Sequence, residues 1–197
     1  MEASKHWKGC DMLLDKSRSG RIAQVSVSRG GVPKLPVAEA IVTRDGIITD
    51  AQSDRRAHGH DHQALCLWSI EQIGDLRMEG HDILPGSTGE NITTENLEWA
   101  FVVPGAQLLL GDDVIIEVTD YASPCWKNAR WFKDGDFNRI NEKVYPGSSR
   151  VYARVLQGGT IRPGDPIQVT VSNAAERVLR RMPRKFKWPQ DFPETMR

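Results

Sequence analysis

Apolar side chains recur at every second residue along most periodic segments of this 197-residue chain. The pattern runs through Ala23, Val25 and Val27, through Val114, Ile116 and Val118 around Ile115 and Glu117, through Val151, Ala153 and Val155, and through Ile167, Val169 and Val171. A period of two places successive side chains on opposite faces of an extended backbone, so each segment predicts a half-buried strand. Turn signals separate the strands at Asp45-Gly46, Pro104-Gly105, Gly111-Asp112, Gly158-Gly159 and Pro163-Gly164-Asp165. Many short strands punctuated in this way predict a mainly β (α+β) fold, as a barrel or a sandwich.

Helices are expected to be few. Ser69 and Gln72 form a capping box ahead of Ile70, Ile73 and Leu76, and Gly80 ends that run. Phe137, Ile140 and Val144 have the spacing of a second short helix. A third is expected from Asn173 to about Met182, stopped by Pro183. The organisation expected is a leader over residues 1–20, one β domain over residues 21–172, and a helix with a basic aromatic tail over residues 173–197.

A chain of this length buries an adequate core as one domain. Its hydrophobic and charged fractions, 39% and 26%, are those of a soluble globular protein. No apolar run approaches the roughly 20 residues of a membrane helix, and the N-terminus lacks the apolar stretch of a secretory signal, so a cytoplasmic location without membrane contact is expected. Net charge is zero, yet Glu176 to Arg197 holds seven Lys/Arg against three Asp/Glu, +4 in the tail and −4 elsewhere. Phe186, Trp188 and Phe192 interleave with those cations. With so few net charges and no recognised binding fold, nucleic acid is not the expected partner; packing on the acidic body, or on a subunit or redox partner, is.

Cys10, Cys66 and Cys125 are odd in number and share no C-x-x-C spacing, which excludes a disulfide framework, a four-cysteine zinc site and an iron-sulfur cluster. Cys66, in ALCLW, reads as a small core hydrophobe, and Cys10 lies in a polar leader. Cys125 follows the strand DVIIEVTD across a loop broken by Pro124, with Lys127 and Arg130 just downstream to favour a thiolate, which is a nucleophile or soft-metal ligand. The alternative reading is a packed thiol.

His58, His60 and His62 would share one face of an extended segment, but no matching ligand cluster stands elsewhere, so they read as polar pocket-lining groups before a zinc site. Arg55 and Arg56 suit a phosphate. Gly86, Gly89, Glu90, Asn91, Thr93 and Thr94 make a loop able to approach a ligand with backbone N–H groups and hydroxyls, or else a plain turn. Neither a phosphate loop nor a dinucleotide fingerprint is present in the sequence.

In order, HGHDHQALCLWS, PGSTGENITTENLEW, GDDVIIEVTDYASPCWKNARW and SSRVYARVLQGGTIRPGDPI resemble the MOSC domain, named for the C-terminal domain of molybdenum-cofactor sulfurase, over roughly Arg21 to Val171. The likeness is to small stand-alone bacterial members of the N-hydroxylaminopurine reductase type. The resemblance implies a mixed β-barrel with peripheral helices and a molybdenum cofactor (molybdopterin) ligated by Cys125. It further implies a cofactor-binding set of Arg55, Arg56, His58, Asn91, Thr93, Ser123, Lys127, Asn128, Arg130 and Arg150, while His60 or His62, of a residue type that ordinarily titrates near physiological pH, is the expected proton donor. Where many relatives read His-Gly-Gly-x-Asp-Arg-Ala, this chain reads His58-Gly59-His60-Asp61-His62-Gln63-Ala64, losing an arginine and gaining two histidines.

The function so implied is reduction of N-hydroxylated compounds to amines. No flavin, haem or iron-sulfur motif occurs in the sequence, so a separate electron-donor protein is expected. The alternatives are sulfur transfer through a Cys125 persulfide and a non-catalytic cofactor- or partner-binding module.

Overall fold

The computed structural model describes residues 18–51 and 61–171. Residues 1–17 of the expected leader, the third helix, the tail, and Arg55, Arg56, His58 and His60 lie outside the described residues; Ser19 and Gly20, expected in the leader, are the first residues of the barrel's opening strand.

Strands β1 (Ser19–Val27), β5 (Leu65–Ser69), β6 (Ile92–Glu95), β7 (Ala106–Leu110), β8 (Val114–Tyr121), β9 (Val151–Gln157) and β11 (Pro166–Val171) form a ring in the order β11-β7-β8-β9-β5-β6-β1. Pairing of β1 with β11, Ser19 opposite Gln168 and Arg21 opposite Pro166, closes it. A short β2 (Leu35–Val37) hangs on the far end of β1. Strands β3 (Ala40–Thr43), β4 (Gly46–Ile47) and β10 (Gly159–Ile161) make a small second sheet. The result is a seven-stranded mixed barrel.

One neighbour pair of the ring, β5 with β6, is parallel and the others are antiparallel. Each antiparallel pair reverses strand direction, so a closed ring needs an even number of them, and an odd-stranded barrel must contain a parallel pair. Parallel strands need a crossover, usually helical. Helix α1 (Ile70–Met78) starts that crossover directly after β5.

The barrel interior is filled by the expected alternation. Val114, Ile116 and Val118 on β8, and Val151, Ala153 and Val155 on β9, are buried, as are Ile167 and Val169 on β11. On β1 the expected alternation is corrected: a bulge between Ile22 and Gln24 shifts the register, so Ile22 and Val25 enter the core while Ala23 and Val27 are half-buried. The capping box is closed on one side only. Ser69 Oγ accepts from the N–H groups of Glu71 and Gln72 at 3.1 and 3.3 Å, but the Gln72 side chain reaches out to the Gly147 carbonyl. The second expected helix is a 3-10 turn, Phe137–Ile140, with Ile140 buried and Val144 exposed.

Candidate functional site

Leu65 and Leu67 of β5 point into the barrel, and alternation leaves Cys66 between them on the outer wall. Its partner across β5–β9 is Tyr152, and Arg150, two residues before Tyr152, shares that face. Above this wall lies a cleft of about 150 Å³. Cys66, Arg150 and Tyr152 line it from the barrel side, Thr88, Gly89 and Asn91 from the segment entering β6, and Ser28, Gly31, Val32 and Lys34 from the β1–β2 connection. Ser123, Cys125, Lys127 and Asn128 enter from the segment after β8, and Ala51 and Gln63 complete the lining.

Cys125 stands half-buried at the start of a 3-10 turn, Trp126–Trp131, its carbonyl accepting from the Asn128 N–H at 2.9 Å. The turn follows from the sequence: Pro124 lacks an N–H donor for continued strand pairing, so the chain leaves β8 and presents Cys125 over the wall.

The opposite rim is built on a buried carboxylate. Glu90 is fully buried and accepts from the Gly86 N–H at 2.6 Å and the Thr88 hydroxyl at 2.9 Å. Burial pushes its pKa up from the ordinary carboxylate range, against the pull of those donors and of Arg150. The loop so wound aims the Thr88 carbonyl at two donors, Arg150 Nη1 and, at 3.3 Å, Asn128 Nδ2. Arg150 is only 5% exposed, and its Nε has no hydrogen-bond partner among the described residues.

Lys34 pairs with Asp50, and both side chains are nearly buried. The Asp50 carboxylate also accepts from the Ser28 N–H at 2.8 Å and from Asn91 Nδ2 at 2.9 Å. Asn91 in turn accepts from the Cys66 N–H at 3.2 Å and returns its own N–H to the Cys66 carbonyl at 2.7 Å. Asn91 is therefore a brace between the barrel wall and the Lys34 side of the cleft.

No carboxylate lines the cleft among the described residues, whereas Lys34, Lys127 and Arg150 do. Burial pushes the Cys66 thiol up to about 11 and the Tyr152 hydroxyl up to about 12, so both stay protonated at neutral pH. The lining thus combines cations, neutral hydrogen-bond donors and a half-buried thiol. A group joining a soft metal to an anionic phosphate fits this donor set: thiolate suits the metal, and an arginine with an unpartnered, buried Nε suits the anion. A cage for a hard cation is absent among the described residues, where no cluster of three or more His, Cys, Asp or Glu groups occurs.

Of the residues expected from the sequence, Cys125, Ser123, Lys127, Asn128, Asn91 and Arg150 come together in this cleft. Thr93 is buried in β6 away from the lining, its hydroxyl without a partner among the described residues. Arg130 is exposed, donates to the Val32 carbonyl at 2.8 Å and lies 4.0 Å over the Trp131 ring. His62 is exposed on a 3-10 turn, Asp61–Gln63, and its carbonyl accepts from the Thr119 hydroxyl. Sequence reasoning missed Lys34, Cys66 and Tyr152. For the last two a signal existed: with Leu65, Leu67, Val151 and Ala153 inward, period two puts Cys66, Arg150 and Tyr152 on the opposite face. Lys34 sits in an aperiodic connection and carries no such signal.

Barrel and cleft together define a cation-lined, cysteine-bearing site on the outer wall of a mixed β-barrel. The chain belongs to the MOSC domain family, whose model matches residues 54–168. That family is associated with molybdenum-cofactor binding. A curated relative named "Reductase", from Gibberella moniliformis, is 29% identical over 130 residues, which are 63% of this chain and 22% of that protein. Among solved structures, the YUAD protein from Bacillus subtilis superposes with a TM-score of 0.65 at 13% identity, over 79% of this chain and 97% of that one. YiiM from Geobacillus stearothermophilus superposes with a TM-score of 0.57 at 22% identity, over 82% and 83%. These structural likenesses concern the fold alone.

Proposed function

We propose that the cleft binds a molybdenum cofactor through Cys125 and that the protein is an oxidoreductase reducing N-hydroxylated compounds to amines with electrons from a separate protein. The observation that carries this reading is the half-buried Cys125 thiol opening onto a lining of cations without carboxylates. The overall change takes two electrons and two protons per N–OH group, releasing the amine and water. The cofactor, when bound, supplies the two-electron redox chemistry and the affinity for oxygen.

The chain's own residues do the rest. Cys125 gives a thiolate, the soft ligand that such a metal takes. Arg150, held by the Thr88 carbonyl, turns its remaining guanidinium donors to an anionic phosphate. Cys66 and Tyr152 contribute protonated donors beside the metal ligand.

The test is metal and pterin analysis of protein made in a host that synthesises the cofactor, followed by turnover of an N-hydroxylated substrate with reduced methyl viologen. Molybdenum at one per chain with substrate reduction is expected; metal-free protein that never turns over sinks the reading. A second reading, sulfur transfer by a Cys125 persulfide, draws support from Cys66, which places a second thiol on the same cleft. Cyanide-labile sulfur on metal-free protein is its signature.

A further inference from the structure

Arginines over much of the surface are neutralised. Arg21 pairs with Glu95, Arg139 with Glu79, Arg154 with Glu117 and Arg162 with Glu39, at 2.6 to 2.8 Å. The rim of the Cys125 cleft differs. Arg29 is exposed between the cleft-lining Ser28 and the Gly30-Gly31 turn, and Lys127 is exposed two residues after Cys125. Neither has an ion-pair partner among the described residues. Arg130 is also exposed, and its bond goes to a neutral backbone carbonyl. Between Cys125 and Lys127 stands Trp126, at 72% the most exposed large hydrophobic side chain described. Two acids stand close by: Asp120, opposite Tyr152 in the β8–β9 register, accepts from the Tyr121 N–H at 2.8 Å, and Asp50, which accepts from the Ser28 N–H, is nearly buried in its pair with Lys34.

Exposed cations are well hydrated and cost little in water, so what marks this rim is their combination with a large, exposed tryptophan beside Cys125. Tryptophan and arginine are the residue types that anchor protein interfaces, and rim charges set the rate and salt dependence of encounter more than its depth. Electron-transfer encounters need little area, under about 1,200 Å² in all. Electron transfer weakens steeply with distance, so a donor has to dock where the metal ligand meets the surface, and that is this rim.

We propose that Trp126, with Arg29, Lys127 and Arg130, forms the docking surface for a small acidic electron-transfer protein. This rests on the reductase reading for its purpose, but the docking itself does not require loaded enzyme. Trp126 inserts at the centre of the contact, and the three cations face the partner's carboxylates.

The experiment uses the unloaded full chain, titrated with an acidic ferredoxin at low and physiological salt, following ferredoxin shifts by NMR and tryptophan emission. Binding that weakens at least about tenfold with added salt, and again at least about tenfold in Trp126→Ala/Arg29→Glu, is expected. In protein loaded with cofactor, that variant should lose ferredoxin-driven turnover and keep viologen-driven turnover. No ferredoxin binding overturns the proposal. So does equal binding by the variant, or binding of a basic cytochrome or a single-stranded oligonucleotide as tight as that of ferredoxin. Absence of viologen-driven turnover in loaded wild-type protein counts instead against the reductase reading, and leaves the docking result to stand or fall by the titration.

Discussion

Burial holds the Cys66 thiol protonated, whereas Cys125, on a turn over the barrel wall, keeps a sulfur within reach of a ligand. Cys125→Ser exchanges a soft ligand for a hard, protonated hydroxyl with little change in volume. Molybdenum content should fall to background while stability shifts by less than about 0.5 kcal/mol, as for substitutions off the core; metal analysis and thermal unfolding check both. At Glu90 the argument turns on charge. Its folded pKa is raised, so its contribution to stability is full below the unfolded value and is lost as pH rises through the folded one. Glu90→Gln keeps both contacts, the amide oxygen accepting from Gly86 N–H and the amide nitrogen donating to the Thr88 oxygen. The variant should therefore gain on the wild type as pH rises from the ordinary carboxylate range upward, measured by denaturant unfolding over a pH series.

At the scale of elements, the cap of α1 offers a separate test. Ser69 Oγ accepts two helix N–H groups and donates to Glu71 Oε2 at 2.6 Å, and Glu71 Oε1 accepts from the Asn96 N–H at 2.7 Å. Ser69→Ala should cost about 1 to 2 kcal/mol, read as a lowered Tm. The same element shows what sequence can and cannot tell. A serine before an apolar period marks a helix start from local chemistry alone, but where Gln72 points depends on Gly147, which only the tertiary fold brings near. Strands β8, β9 and β11 were legible because each follows one period throughout, whereas the β1 bulge is set by pairing with β6 and leaves no mark in the sequence of β1. In the site, Cys125, Asn91 and Arg150 were legible through the motifs that carry the family resemblance. Glu90 showed only as one loop residue among several, and its part in fixing Thr88 depends on a winding that is visible only in three dimensions.

For the whole molecule, closure of the barrel is the condition on which the cleft depends, since its lining comes from six separate stretches of chain, among them β5, β9 and the segments beside β1, β6 and β8, that meet only when the ring is complete. Closure runs through β1, which pairs with β11 at Ser19 to Arg21 and with β6 from Arg21 onward. Gly20 sits at that junction. A Cβ added there would lie 2.6 Å from the Glu95 carbonyl oxygen and 2.8 Å from the Leu97 Cβ, closer than real contacts allow. Neither neighbour is the free end of a flexible side chain: one is backbone in β6, and the other is the Cβ of a buried residue that fills the core. Relief requires moving β1 away from β6, which also strains the β1–β11 pairs. Gly20→Ala should therefore destabilise by about 1 to 3 kcal/mol, as overpacked cores do, and Gly20→Val by more, since its branches meet the same walls. Because the ring is closed, the loss should appear as a lower midpoint in one cooperative transition and not as local fraying of β1. Amide exchange on β6 and β11 should accelerate together with that on β1; acceleration confined to β1 would show that the seam opens independently of the barrel.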